Sequence, residues 1–279
     1  MNLKRHVVTG ARNTKLNVVE WGNPDGAEVI FIHGWSQSLL CWSEQYESPD
    51  LQGFRLIGID LRGHGKSEAP VGDNFYNESN IWAEDLDAVI SALNLKFPIL
   101  IGWSYGGLVI TDYLKRFGDK SLSGILFAGA TTQLNEEALG TYIGRGFTDY
   151  IEGALSDNSQ ECQEAMRFFV DNCFAKKLSR EKFDAALEWN LKVRPDVRAS
   201  LTNRDVDNTS VLKKATVPVL IAHGQLDDVV LPGMAKLIKE NCHDAELSWY
   251  EDVAHAPFLE DTHRFNDELA CFVEKTRNK

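Results

Sequence analysis

Five short apolar runs constrain this chain more than any other feature: "EVIFIH" (Glu28 to His33), "FRLIGIDL" (Phe54 to Leu61), "FPILIGW" (Phe97 to Trp103), "LSGILFAGA" (Leu122 to Ala130) and "TVPVLIAHG" (Thr216 to Gly224). Each is nearly continuous in β-branched or large apolar residues. That is the pattern of a strand covered on both faces rather than of a half-exposed hairpin. Helical spacing falls between them, through Ile81, Leu86, Val89, Ile90 and Leu93, and again through Leu108, Val109, Tyr113, Leu114 and Phe117. Strands and helices that alternate in this way predict an α/β chain with a doubly wound, mostly parallel sheet. Residues 7–8 and 16–21 read as opening strands, and "AELSWY" (Ala245 to Tyr250) as a late one before a closing helix through Phe265, Leu269 and Phe272.

The alternation stops after Ala130. From Thr131 to about Val211 there is no strongly apolar strand, only polar helical stretches such as "CQEAMRFFVDNCF" and "REKFDAALEWNL". The expected organisation is a core of residues 1–130 and 211–279 carrying a helical cap insertion at 131–210. Such an insertion would sit over the carboxyl ends of the strands, where open α/β sheets bind ligands.

With 279 residues, 43% hydrophobic and 25% charged, the chain has enough apolar material for a substantial core. A formal net charge of -12 argues against polyanionic partners, so neither nucleic acid nor an anionic membrane is expected. No apolar segment follows the basic residues of the amino terminus, and no run approaches a membrane span, which makes a cytoplasmic location the expectation. The five cysteines, Cys41, Cys162, Cys173, Cys242 and Cys271, are odd in number and scattered, so reduced structural thiols are expected.

The chemistry begins at Gly102-Trp103-Ser104-Tyr105-Gly106. A G-x-S-x-G sequence after a buried strand and before a helix is the nucleophile elbow, a turn so sharp that the serine is strained and its hydroxyl exposed. Alone it reads equally well as a tight turn, since glycine and serine are common turn residues. An activated serine needs a base and an orienting acid, and in this motif they follow in the order serine, acid, histidine, beyond later strands. Asp227 lies three residues past "VPVLIAHG", and His255 lies in "EDVAHAPF", after the strand that ends at Tyr250. Asp228 could fill the acid's role, but the spacing from Gly224 favours Asp227. His255 would take the Ser104 proton and Asp227 would hold its tautomer. Of the other histidines, His6, His243 and His263 read as surface residues, and His33, His64 and His223 as structural ones in strand-end loops.

A tetrahedral intermediate also needs donors for its oxyanion. The elbow offers the backbone N–H of Tyr105, and the loop "HGWS" after the third strand offers that of Trp35, with Gly34 allowing close approach. The alternative for Trp35 is a core aromatic, the less favoured of the two readings. Trp35, Trp103 and Phe258 flank these motifs and are candidates for the wall of a substrate pocket.

Taken together, "HGW", "DLRGHGKS", "GWSYGG", "HGQLDD" and "AHAPFLE" resemble the α/β-hydrolase fold superfamily, in its capped esterase and lactonase-like group. The resemblance covers residues 15–130 and 211–275. It implies a serine esterase with no metal and no cofactor, with Ser104, Asp227 and His255 as its catalytic triad. The expected reaction is hydrolysis of a small to medium carboxylic ester or lactone through an acyl-enzyme on Ser104. The alternatives are a carbon–carbon bond hydrolase or an acyltransferase using the same triad, or a slowly hydrolysing ligand receptor. Dehalogenases and epoxide hydrolases of this superfamily carry aspartate where Ser104 stands. Its cofactor-free perhydrolases carry proline after the loop aromatic, where this chain has Ser36. "GHGKS" resembles the end of a phosphate-binding loop, but the glycine required five residues before Gly65 is Asp60. Arg62 and His64 are expected to hold that stretch as a structural loop.

Overall fold

The computed structural model describes residues 3–277. Eight strands form one sheet: β1 (Lys4–Thr9), β2 (Lys15–Gly22), β3 (Glu28–Ile32), β4 (Arg55–Ile59), β5 (Ile99–Trp103), β6 (Gly124–Ala128), and, after a second sheet described below, β9 (Val219–Gly224) and β10 (Glu246–Tyr250). Their order is β1-β2-β4-β3-β5-β6-β9-β10. Only β2 runs against its neighbours, antiparallel to both β1 and β4, while every pairing from β4 to β10 is parallel. The doubly wound, mostly parallel sheet is as the apolar runs require.

Every residue of β5, β6 and β9 is buried, whereas the edge strands β1 and β10 keep exposed positions. The reason is that both faces of the central strands are covered, so both sets of alternating side chains need apolar surroundings. On one face, Ile30, Leu100, Ile125 and Phe127 pack with the helices Ser79–Ala92, Gly106–Phe117 and Pro232–Asn241. On the other, Phe31, Ile101 and Leu126 pack with Trp42, Tyr46 and the helix Thr262–Arg277.

Between β6 and β9 the chain leaves the sheet. Two strands of two residues each, β7 (Gln133–Leu134) and β8 (Val206–Asp207), pair antiparallel and bring the two ends of this segment together. Strands so short leave no apolar pattern in a sequence. The helices Ser159–Asn172, Arg180–Leu191 and Pro195–Thr202 lie between them. Their buried residues, including Met166, Phe169, Leu187 and Val197, continue the cluster that covers one face of the sheet.

The loop after β4 is fixed by charge. Arg62 is wholly buried and donates to both carboxylate oxygens of Asp85 at 2.6 and 2.7 Å, and also to the carbonyls of Ala11 and Phe75. Asp60 accepts from Ser38 Oγ and the Leu39 N–H through one oxygen, and from Asn17 Nδ2 and the Lys66 N–H through the other. The stretch that mimics a phosphate-binding loop is thus closed around its own carboxylate.

Removing one partner of a buried ion pair strands the other. We expect Asp85→Ala to destabilise the fold by about 3–5 kcal/mol, read as a lowered urea midpoint. A midpoint unchanged from that of the parent chain would show that Arg62 is held by its carbonyl contacts alone.

Candidate active site

Ser104 stands where β5 ends and the helix Gly106–Phe117 begins, with φ at +54°. Few non-glycine residues take this left-handed conformation, and here the surroundings enforce it. The Ser104 N–H donates to the Ala128 carbonyl, and its carbonyl accepts from the N–H groups of Gly107 and Thr131. The turn closes only because Gly106 has no side chain: a Cβ there would lie 2.5 Å from the Ile32 carbonyl oxygen. Gly34 serves the facing loop in the same way, since its Cβ would meet Ser104 Cβ at 3.0 Å.

Parallel neighbours β9 and β10 bring the loops bearing Asp227 and His255 side by side. His255 Nδ1 donates to Asp227 Oδ2 at 2.8 Å, and both side chains are buried. The other carboxylate oxygen accepts from the N–H groups of Val229 and Val230, both at 2.9 Å. Burial alone would raise the Asp227 carboxyl, but His255 beside it and the hydrogen bonds from His223 and His255 hold it down at about 2. Asp227 is therefore a carboxylate at any ordinary pH. Asp228, its neighbour, is exposed.

With Nδ1 committed, His255 Nε2 is left buried with no hydrogen-bond partner. The backbone of His255 is tied on both sides. Its N–H donates to the Cys173 carbonyl, and its carbonyl accepts from Trp103 Nε1 at 2.8 Å. Trp103, which directly precedes Ser104, thereby joins the elbow to the histidine loop.

Neither the Trp35 N–H nor the Tyr105 N–H takes part in the backbone hydrogen bonds of its turn, where Gln37 N–H donates to Gly34 and Leu108 N–H to Tyr105. The Trp35 loop is set by two buried imidazoles. His33 receives the Leu61 N–H on Nε2 and donates from Nδ1 to the Gly34 carbonyl. His64 receives the Ser36 N–H on Nε2 and donates from Nδ1 to the Arg62 carbonyl. Burial lowers His33 to about 4, and burial together with the neighbouring His33 lowers His64 to about 3.

A small apolar cavity of about 30 Å3 adjoins Ser104, lined by Trp35, Leu134, Ile143, Phe147 and Val230 among others. Phe258 does not reach it. That ring is wholly buried, packed against Trp42, Trp103 and Phe265. Trp103 instead contributes to the wall of a separate cavity of about 130 Å3 with Cys173, Phe174, Trp189 and Leu259. His243 and His263 are exposed and His6 half-buried, and His223 is buried with Nε2 on the Val230 carbonyl. All five cysteines are free, with Cys271 alone exposed. Among the described residues there is no cluster of side chains that could hold a metal ion, and no helix is long and apolar enough to cross a membrane.

Two site-forming residues left no local signal in the sequence, Arg198 and Arg204. Both are buried, and from far along the chain Arg198 touches Ser36 and Arg204 touches Tyr105.

Comparison with known proteins bears on the fold and the family. A family model described as alpha/beta hydrolase fold matches residues 28–262. The AB hydrolase superfamily protein YisY of Bacillus subtilis (strain 168) is 28% identical, covering 96% of this chain and 98% of its own. The non-heme chloroperoxidase CPO-A1 of Kitasatospora aureofaciens is also 28% identical, covering 92% of this chain and 94% of its own. Among solved structures, the esterase RhEst1 from Rhodococcus sp. ECU1013 superimposes with a TM-score of 0.91 at 34% identity, covering 97% of this chain and 98% of that one.

The two imidazoles give the site an acid limit. In the unfolded chain each takes a proton near 6.5, but in the folded chain only near 4 or 3, so the unfolded state binds more protons in between. Their contribution to stability is complete above pH 6.5 and is lost as the pH falls, on the order of 3 kcal/mol for each ring by about pH 4. Urea midpoints measured from about pH 7 down to pH 4 should decline accordingly. His64→Gln should lower the midpoint at neutral pH yet flatten its slope against pH; an unaltered slope would refute this assignment.

Proposed function

The chain belongs to the alpha/beta hydrolase fold family, and from that premise we propose that it is a serine hydrolase cleaving a small to medium carboxylic ester or lactone through an acyl-enzyme on Ser104. The observation that carries the reading is His255 Nε2: a buried ring nitrogen with no partner, on an imidazole whose other nitrogen is committed to a buried carboxylate.

In this mechanism Nδ1 keeps its proton because Asp227 accepts it, so Nε2 holds a lone pair and acts as the base. Ser104 Oγ attacks the ester carbonyl as His255 takes its proton. The carbonyl oxygen becomes an oxyanion facing the N–H groups of Tyr105 and Trp35. Collapse of the intermediate expels the alkoxide, which leaves with the proton from His255. Water then repeats the sequence on the acyl-enzyme, with His255 again the base, and releases the acid. Asp227 stays ionised throughout and stabilises the imidazolium. No metal or cofactor is needed for any step.

We take residues 131–210 as the cap. Phe147 from this segment stacks edge-on against Trp35 with ring centroids 5.1 Å apart, and both rings line the cavity at Ser104. The small size and apolar lining of this cavity support a short acyl group. The 34% identical neighbour RhEst1, an esterase, supports the same substrate class.

Two measurements test the proposal. A fluorophosphonate should form one adduct, located on Ser104 by peptide mass, and Ser104→Ala should lower ester turnover by about 10,000-fold or more while leaving the fold intact. Absence of the adduct under native conditions would overturn the proposal. In a panel of esters, acetyl and propionyl groups should exceed octanoyl in kcat/KM by on the order of tenfold, with Phe147→Ala narrowing the gap. A preference for the longest chain would contradict the assignment of this cavity to the acyl group.

A further inference from the structure

We propose that the stretch from Pro195 to Arg204 assembles the oxyanion hole, with Arg198 and Arg204 as positioning residues that each hold one of its two donor residues. This rests on the serine hydrolase reading above and adds to it a source for the hole's geometry.

The first arginine acts on the Trp35 side. Arg198 is buried on the helix Pro195–Thr202, and its Nε donates to Ser36 Oγ at 3.0 Å. Its Nη2 donates to the Asn190 carbonyl at 2.7 Å, the same carbonyl that accepts the Ser36 hydroxyl at 3.1 Å. Nη1 donates to the Ala154 carbonyl and to Cys162 Sγ. In return the Arg198 carbonyl accepts Trp35 Nε1 at 3.3 Å. The Trp35–Ser36 loop is thus gripped through a side chain on each residue, opposite the grip that His64 exerts on the Ser36 N–H. Among the described residues Arg198 forms no ion pair with a carboxylate. A guanidinium buried among neutral acceptors is costly, and here its contacts converge on one loop.

The second arginine acts on the elbow side. Arg204 donates from Nη1 to Tyr105 Oη at 2.9 Å and from Nη2 to Asp112 Oδ2 at 2.6 Å. Both partners belong to the elbow, Tyr105 directly after Ser104 and Asp112 on the helix that follows. The Arg204–Asp112 pair is fully buried, and the guanidinium also lies over the Tyr105 ring at 5.6 Å from its centroid. The side chain whose backbone N–H faces the oxyanion therefore has a fixed direction at its far end.

One stretch of ten residues meets both donor residues, although Trp35 and Tyr105 themselves come from different strand ends. An oxyanion hole works by holding its donors where charge will develop, so their placement relative to one another matters as well as their presence. Pro195–Arg204 is the element that spans the two.

The test uses two variants that each delete one hydroxyl and leave both arginines in place, Ser36→Ala and Tyr105→Phe. Neither change touches a backbone donor, and neither leaves a carboxylate unpaired. Thermal melts establish that each variant is folded. Each is expected to lose about tenfold or more in kcat on a short ester with KM within about twofold, because the hole serves the transition state and not the bound ester. Affinity for an arylboronic acid, which becomes tetrahedral on Ser104 Oγ, should fall by a similar factor. Affinity for the neutral alcohol product, which presents no oxyanion to the donors, should not change. A purely structural defect would not divide the two ligands in this way.

Folded variants that keep kcat and boronate affinity within about twofold of the parent would overturn the proposal, as would a loss confined to KM. The parent chain is treated with the fluorophosphonate in parallel. An adduct there with unchanged variants sinks the arginine clamp alone, whereas no adduct on the parent removes the serine hydrolase reading and the clamp with it.

Discussion

A carboxylate taken out of water must find replacements for its lost hydration, and Asp227 finds four. Two come from the backbone N–H groups of the turn that follows it, and two from imidazoles, His255 at 2.8 Å and His223 at 3.3 Å. Satisfying this one group fixes much else. The turn must curl back toward its own aspartate, β9 and β10 must lie side by side, and the His255 ring must present Nδ1 inward. The nitrogen left over is the one the proposed chemistry uses. A polar group that stabilises the fold only when fully satisfied thereby sets the tautomer of its neighbour.

The remainder of the site is held by interactions that cross the chain at long range. His255 is tied through its backbone to Cys173 on one side and to the Trp103 indole on the other. Glu260 accepts the Ala254 N–H through one oxygen and the Ala175 N–H through the other, joining the histidine loop to the segment between β6 and β9. That segment also reaches the Trp35 loop through Arg198 and the elbow through Arg204. It contributes polar anchors to three separate strand-end loops as well as apolar cover.

Much of this was legible in the sequence. Continuous apolar runs marked the central strands because both faces of a parallel sheet are covered, and the loops that follow them carried Ser104, Asp227 and His255 in an interpretable order. The short strands β7 and β8 were not legible, being two residues long. Nor were the positions of Trp103 and Phe258. An aromatic beside a motif can turn toward the ligand or toward the core, and Phe258 turned wholly to the core while Trp103 became a tie to His255.

The chain's own letters determined the fold class and the candidate nucleophile, base and acid, because periodicity and motif spacing are local and survive without knowledge of the partners. Tertiary structure alone decided which groups would be satisfied and which left open. Arg198 looks like any surface arginine on a polar helix, and its burial follows only when Ser36 and Asn190 arrive beside it. His33 and His64 were legible as structural loop residues, but the burial that keeps their imidazoles neutral is encoded in no spacing. Local patterns record what a segment does for itself, whereas hydrogen bonds between residues far apart in the chain depend on the packing that brings them together.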